Sequence, residues 1–405
     1  MKICFLYPQT NFLEFNGFPP LPLLYLDSYL NNHGYTDTQI VDLNVTNIIP
    51  KADVYAISAT TPQFPYTIEL LSELKKLNPN STTIIGGAHA SIKPNDCKDF
   101  DKVIIGSGEL ALIQCLEDIE KINIIEKINI IENQKHIYIG EDITNLDEIP
   151  IPSRKKIDTT NYKYYIDGEL STSQMTSRGC IFSCLFCQNS SKTNKTVRFH
   201  SNEYVLNEIQ DIKNCGYKGI YFMDDMFTIR KDLLDLKSEL TNLKWQCQIR
   251  ADEKLNNIIK LGKMNCNRVS IGLESGSQKI LDIVNKRLNL KNVPEVIKEC
   301  KKNDIKVHPY LILGLPSESA QTIENTIEFL RMIEPDSVGI SIFVPYPGTY
   351  IHDHLEQFDI KIEDNDYKKW HFRGGKGGYN CIVSTSELTS EDILKYREDI
   401  DREFN

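Results

Sequence analysis

Residues 169–187 read ELSTSQMTSRGCIFSCLFC, a short strand-like run that leads into three cysteines spaced Cys180-x3-Cys184-x2-Cys187. In α/β barrels the chemistry sits on the loops at the carboxyl ends of the strands, so thiols in ligand spacing just behind a strand call for a search for further strand and helix units. From Gly168 onward six such units follow, with strands ending at Arg178, Met223, Arg250, Leu273, Leu313 and Val344. Helical patterns lie at 203–214, 231–243, 252–263, 278–302 and 319–333. Six units predict an α/β fold of the incomplete (β/α)6 barrel type over 168–350. A carboxyl-terminal extension, 351–405, holds a glycine-rich loop (Gly374, Gly375, Gly377, Gly378) and a charged helix from Thr389.

Ahead of the barrel, short apolar runs at 2–7, 39–42, 54–58, 82–85 and 102–105 alternate with helical patterns at 21–33 and 66–77. That alternation predicts a doubly wound, Rossmann-like parallel sheet over 1–125. IEKINI then repeats at 119–124 and 125–130, a period that fits neither a heptad nor a solenoid unit. Residues 126–167, polar and carrying Pro150 and Pro152, read as a linker that contains a short strand at 136–139.

Composition narrows the function classes. The formal charge of −10 comes from acids spread along the chain, without the clustered Lys and Arg that phosphate backbones require, so nucleic acid is not an expected partner. No apolar run approaches the roughly 20 residues of a membrane span, and the start MKICFLYPQT lacks the apolar core of a signal peptide, which places the chain in the cytoplasm with no membrane partner. Of the 11 cysteines, Cys4, Cys97, Cys115, Cys215, Cys247, Cys266, Cys300 and Cys381 stand isolated in apolar or helical patterns and read as small reduced hydrophobes.

Three thiolates on one short loop can hold one corner of a four-iron cubane and leave the fourth iron without a protein ligand. Structural zinc, with His200 as a fourth ligand, and three incidental thiols are the other readings; no second ligand couple follows at zinc-finger spacing. With Phe186 just before the last cysteine, the motif resembles that of the radical S-adenosylmethionine (SAM) superfamily. The resemblance implies a 4Fe-4S cluster on Cys180, Cys184 and Cys187, SAM chelating the open iron, a 5′-deoxyadenosyl radical, and Phe186 near the adenine. IYFMDDMFT (220–228) resembles the family's second-strand segment, which puts Asp224 and Asp225 near the SAM amino group. VSIGLESGSQKILDIVNK (269–286) is similar to the fourth-strand segment, which puts Glu274 near the ribose. LILGLPSES (311–319) and VPYPGT (344–349) match the fifth and sixth, except that Pro316-Ser317-Glu318-Ser319 stands where the family shows Pro-Gly-Glu-Thr. Arg250, at another strand end, is a cofactor-binding candidate by position. Singly, the aspartates also read as helix caps, and Glu274 and Arg250 as ion pairs.

In the amino-terminal domain the ligand loops of a doubly wound sheet are SATTPQ (58–63), GGAHAS (86–91) and GSGE (106–109). Their candidates are Ser58, Thr60, Gln63, Gly86, Gly87, His89, Gly106, Gly108 and Glu109; spacing alone allows a nucleotide or no ligand. PPLPLLYLDSYLNNHGY (19–35), DVYAISATTPQ, IIGGAHAS and DKVIIGSGE together resemble the cobalamin-binding domain of class B radical SAM enzymes. Many cobalamin proteins carry Asp-x-His-x-x-Gly after the first strand. Here that loop, 7–17, offers Gln9, Thr10, Asn11, Glu14 and Asn16 but no imidazole, so cobalt's lower face is expected to meet oxygen donors, water or nothing. His33 reads as a helix cap, and His89 is the imidazole that would contradict this.

The family resemblance therefore implies a cobalamin-dependent radical SAM methyltransferase. It would carry a methyl group from SAM through methylcobalamin to an unactivated carbon of a small-molecule, peptide or protein substrate, with flavodoxin or ferredoxin as electron donor. Cyclisation or rearrangement without methyl transfer is the alternative within the family, and a non-catalytic iron-sulfur scaffold or sensor the alternative outside it. Trp370, Phe372 and the glycine-rich loop either line the substrate entrance or cover the barrel floor.

Overall fold

The computed structural model describes residues 1–10, 17–126, 136–191, 195–372 and 378–405, and the chain divides into two compact units, Met1–Tyr162 and Lys163–Asn405. The first unit is built from β1 (Ile3–Tyr7), α1 (Leu21–Asn32), β2 (Thr38–Asp42), β3 (Val54–Ser58), α2 (Phe64–Leu77), β4 (Thr82–Gly86), α3 (Ala88–Ile92), β5 (Lys102–Gly106), α4 (Gly108–Glu126) and β6 (Ile137–Gly140). All pairings are parallel, in the order β2-β1-β3-β4-β5-β6. Runs such as ICFLY and VYAIS are buried almost throughout because helices cover both faces of a parallel sheet. The chain leaves β1 for β2 on one side and returns to β3 on the other, so the carboxyl ends of β1 and β3 flank the switch point where such sheets bind ligands.

The short strand expected inside the linker is β6, and it extends this sheet, Val103 pairing with Ile137 and Gly106 with Gly140. The rest of the expected linker up to Tyr162 also belongs to the first unit. Lys156 Nζ reaches the buried Asp27 at 3.0 Å, the Tyr162 hydroxyl donates to Asp42 Oδ2 at 3.1 Å, and Arg154 is fully buried. Anchors of this kind are polar and aperiodic, so hydrophobic patterning does not reveal them. The first IEKINI copy closes α4; most of the second lies outside the described residues.

The second unit comprises β7 (Tyr164–Ile166), β8 (Glu169–Gln174), β9 (Ser177–Arg178), β10 (Arg198–Phe199), α5 (Asn202–Asn214), β11 (Gly219–Phe222), α6 (Lys237–Leu240), β12 (Lys244–Arg250), α7 (Leu255–Lys263), β13 (Arg268–Glu274), α8 (Gln278–Ile283), α9 (Val293–Lys302), β14 (Lys306–Leu313), α10 (Ala320–Ile333), β15 (Gly339–Ile342), α11 (Tyr350–Asp353), β16 (Lys361–Ile362), β17 (Val383–Ser384) and α12 (Ser390–Phe404). Its main sheet runs β15-β14-β13-β12-β11-β8-β7: six parallel strands in chain order, the expected incomplete barrel, with β7 added antiparallel. On β14, Val307, Leu311 and Leu313 are buried in the core, while the alternate His308, Tyr310 and Ile312 are only half-buried on the opposite face. Trp245, Cys247 and Ile249 of β12 join the same core.

Two expected helices differ. Residues 231–243 form a 3-10 turn and the short α6, and 278–302 break into α8 and α9 at a turn where Asn285 and Arg287 are left-handed, with φ 52° and 51°. Helical periodicity continues through that turn in sequence because both halves present an apolar face to the same core. Six of the eight isolated cysteines are buried, Cys215 and Cys381 are half-buried, and burial pushes the thiols of Cys4, Cys97 and Cys300 up to about 12. Among the described residues no helix is long and apolar enough to cross a membrane.

Candidate functional site

The cysteine loop is closed at its base and braced from Phe182 to Gln188. Ser177 and Arg178 pair antiparallel with Phe199 and Arg198, so the two ends of the loop are held side by side. Leu185 N–H donates to the Val284 carbonyl (3.0 Å), Asn285 Nδ2 to the Ser183 carbonyl (2.9 Å), and Gln188 Nε2 to the Pro347 carbonyl (3.3 Å). The Arg250 guanidinium lies 4.0 Å over the Phe182 ring. Cys184 is buried and Cys180 and Cys187 are half-buried.

The three thiols stand within electrostatic reach of one another. Burial is the main reason the Cys187 thiol is pushed up to about 11, and Cys184, Asp225 and Cys180 add to it. Cys184 is also raised by burial, with Lys286 and Arg250 pulling it down and Glu274 and Cys180 pushing it up. A bound cation inverts this balance and makes all three thiolates. Among the described residues no three His, Cys, Asp or Glu side chains converge to hold a single metal ion. His200, the fourth ligand of the zinc reading, is buried in a stack with Tyr204 at 3.9 Å. A donor set of three spaced thiols suits a polynuclear cluster better than one ion.

The other strand-end candidates divide. Asp224 is fully buried, and its carboxylate accepts from Thr176 N (3.0 Å), Thr176 Oγ1 (2.9 Å) and the Ser177 hydroxyl. It braces the chain entering the cysteine loop and presents no exposed surface to a cofactor, which corrects the expectation of a cofactor contact there. Burial outweighs those hydrogen bonds and keeps its carboxyl raised. Asp225 is exposed and accepts from Asn189 Nδ2 at 2.9 Å. Arg250 forms a two-pronged pair with Asp252 (2.8 and 3.2 Å) and donates to the carbonyls of Lys286 and Arg287 at 3.2 and 2.7 Å, so it is committed to the protein. Phe186 is half-buried beside the loop thiols. Glu274 sits just past a bulge in the β13–β14 pairing with a left-handed φ of 67°, and its Oε1 is 2.6 Å from Lys286 Nζ. Backbone strain at a strand end facing the cysteine loop fits a functional residue.

Several site residues were not among the sequence candidates. Lys286, Asn285 and Asp252 act through the fold, and no spacing rule marks them. The same holds inside the barrel, where Tyr221 accepts from Gln248 Nε2 at 2.8 Å and lies 3.4 Å from the Tyr310 hydroxyl. Period-two alternation along β12 and β14 is the signal that would have found these two faces.

In the first unit, Thr60 and Gly106 are exposed and Ser58, Gly86 and Gly108 half-buried at the carboxyl edge, a small-residue surface suited to a broad flat ligand. Gly87 has φ +93°, and a Cβ there would fall 2.8 Å from Ala59 N and O, so this glycine serves close backbone packing. Gln63 is buried, its Oε1 accepting from Thr60 N and its Nε2 donating to the Pro8 carbonyl at 3.1 Å; Glu109 is also buried. His89 is fully buried, stacked 4.0 Å from Phe64, and burial lowers it to about 4. Gln63 and His89 therefore support the edge from within rather than meet a ligand on it, again unlike expectation. His33 bonds the Tyr29 carbonyl through Nδ1 at 2.8 Å, as a helix-end cap does. Asn11, Glu14 and Asn16 lie outside the described residues.

Comparison with known proteins matches residues 175–330 to the radical SAM superfamily and residues 16–116 to the B12 binding domain. An uncharacterized methyltransferase of Pyrococcus horikoshii is 31% identical, over 93% of this chain and 85% of its own. The chain belongs to the cobalamin-dependent radical SAM family. An anaerobic magnesium-protoporphyrin IX monomethyl ester cyclase of Rubrivivax gelatinosus is 26% identical over 92% of this chain and 72% of its own. The fold matches that of the radical SAM methyltransferase TsrM from Kitasatospora setae, with a TM-score of 0.74 at 13% identity, covering 99% of this chain and 91% of that one. As a member of the family the chain is an enzyme whose cofactors are a 4Fe-4S cluster, SAM and cobalamin.

Proposed function

We propose that this enzyme transfers a methyl group to an unactivated carbon, with Cys180, Cys184 and Cys187 holding the cluster. The observation that carries the reading is a loop with three cysteines in ligand spacing, fastened to the barrel through Leu185, Asn285 and Gln188, with Glu274, Lys286 and Arg250 in electrostatic reach of Cys184 and Asp225 in reach of Cys187. When bound, the cluster and SAM supply a carbon-centred radical, and cobalamin supplies the methyl group. The chain's own residues do the holding. Glu274 Oε2, which accepts no hydrogen bond among the described residues while Oε1 takes the Lys286 ammonium, is the acceptor for a ribose hydroxyl. Asp225, exposed beside Cys187, is the acceptor for an amino group. Phe186 packs against the adenine. Ser58, Thr60, Gly86, Gly106 and Gly108 form the cobalamin-facing edge of residues 1–125, Gly87, Gln63, His89 and Glu109 supporting it from behind. The barrel core, 168–350, binds substrate on its inward face, where Tyr221, Gln248 and Tyr310 offer neutral hydrogen-bonding groups.

The electron donor is a flavodoxin or ferredoxin and the site of action the cytoplasm. The test is anaerobic reconstitution followed by product analysis. Both S-adenosylhomocysteine and 5′-deoxyadenosine are expected, and bound cobalamin with no S-adenosylhomocysteine would refute methyl transfer. The cyclase relative favours a second reading, which predicts 5′-deoxyadenosine without methylated product.

A further inference from the structure

We propose that the turn between α8 and α9, and Lys286 above all, is a positioning device that sets the Glu274 carboxylate against the cysteine loop for SAM binding. The inference rests on the proposed role of Glu274 as the ribose acceptor. Lys286 Nζ and Glu274 Oε1 are 2.6 Å apart and each side chain is only 10% exposed. Burying two charges costs desolvation that their attraction need not recover, so such a pair is weak as a device for stability and effective as one for geometry.

Three features make room for the pair or constrain it. Gly272 carries no side chain, and a Cβ there would lie 2.9 Å from both Glu274 Oε1 and Lys286 Nζ. Glu274 itself is left-handed after the bulge, which turns its side chain out of the regular strand alternation. The left-handed residues Asn285 and Arg287 bend the chain so that Lys286 points back at β13. With Oε1 taken by the ammonium group, Oε2 is the acceptor left for a sugar hydroxyl.

The same four residues, 284–287, grip the cysteine loop. The Val284 carbonyl accepts from Leu185, between Cys184 and Cys187; Asn285 donates to the Ser183 carbonyl; and the Lys286 and Arg287 carbonyls accept from Arg250, which packs on Phe182. One rigid turn therefore fixes the loop through its backbone and the carboxylate through its one long side chain. A displacement of either is transmitted to the other, which is what holding SAM at a cluster demands.

The test uses the full chain, reconstituted anaerobically, with SAM affinity by equilibrium dialysis, iron and sulfide per chain, and melting temperature read together. Lys286→Met is expected to weaken SAM binding about tenfold or more, as loss of a charge-assisted contact does, with iron content near that of the parent and a lower melting temperature, because the Glu274 carboxylate is left buried without its partner. Lys286→Arg should recover much of the affinity. Glu274→Gln combined with Lys286→Met should bind SAM no worse than the weaker single variant, because the two act as one unit. Should Lys286→Met fold poorly, Lys286→Gln, which keeps a donor and drops the charge, is read in its place with the same expectation in smaller degree. Parent-like SAM affinity in these variants, or strictly additive effects in the double, overturns the inference while leaving the functional reading intact. A parent that carries its cluster yet binds no SAM overturns both.

Discussion

Replacing Asp224 by Ala separates a buried brace from a ligand contact, because its neighbour Asp225 is exposed. Asp224 is 0% exposed and accepts a backbone N–H and two hydroxyls from Thr176 and Ser177. Removing the carboxylate strands the Thr176 N–H in the interior at a cost of about 1–3 kcal/mol, and the two hydroxyls lose about 1 kcal/mol each. Relief of the carboxylate's own desolvation, the force that raises its pKa, offsets part of this. The net expectation is about 3 kcal/mol. For a unit of this size that is roughly a 6–12 °C fall in melting temperature. Anaerobic thermal unfolding of the cluster-free chain, followed by far-UV circular dichroism, measures it. Reconstituted iron should fall as well, since the brace lies immediately ahead of the cysteine loop. Asp225→Ala should leave stability within about 0.5 kcal/mol, as at other exposed sites, while weakening SAM binding. If Asp224→Ala melts with the parent, or if Asp225→Ala is the more destabilised of the two, the assignment of roles is wrong.

Ser317, where the family shows glycine, adopts φ 60°, so Ser317→Gly is expected to stabilise the chain by up to about 1 kcal/mol in guanidinium unfolding; destabilisation would show that its side chain is needed. Gly87→Ala should cost at least about 1–3 kcal/mol from backbone conformation alone, plus the clash with Ala59, and a parent-like midpoint would contradict that packing. Glu318 is wholly buried, and burial raises its carboxyl from 4.5 to about 8 although Gly314 N–H donates to it. The folded chain therefore holds a proton there that the unfolded chain releases above 4.5, so stability should fall as pH rises from 4.5 through about 8. Glu318→Gln should flatten that slope, and an unchanged slope in the variant would mean that another group produces it.

How far the chain could be read before folding follows from the range of each interaction. Most strands of both parallel sheets and the cysteine loop follow from local pattern: apolar runs of strand length, turn residues between them, and three thiols within eight residues, 180–187. In the Pro-Ser-Glu-Ser turn Ser317 adopts the left-handed conformation and Glu318 accepts the Gly314 N–H. What local pattern could not decide is which of two like residues faces inward. Asp224 and Asp225 are adjacent and chemically identical, yet one is sealed under Thr176 and the other is open, because successive residues leaving β11 point to opposite sides. His89 stood among glycines and hydroxyls like a ligand contact, and its ring is stacked on Phe64 inside the first unit. Lys286 and Glu274 are twelve residues apart with a helix between them, and their meeting depends on a bulge, a missing side chain at Gly272 and two left-handed residues. Contacts of that kind are set by where the backbone turns in space, and only the assembled barrel fixes those turns.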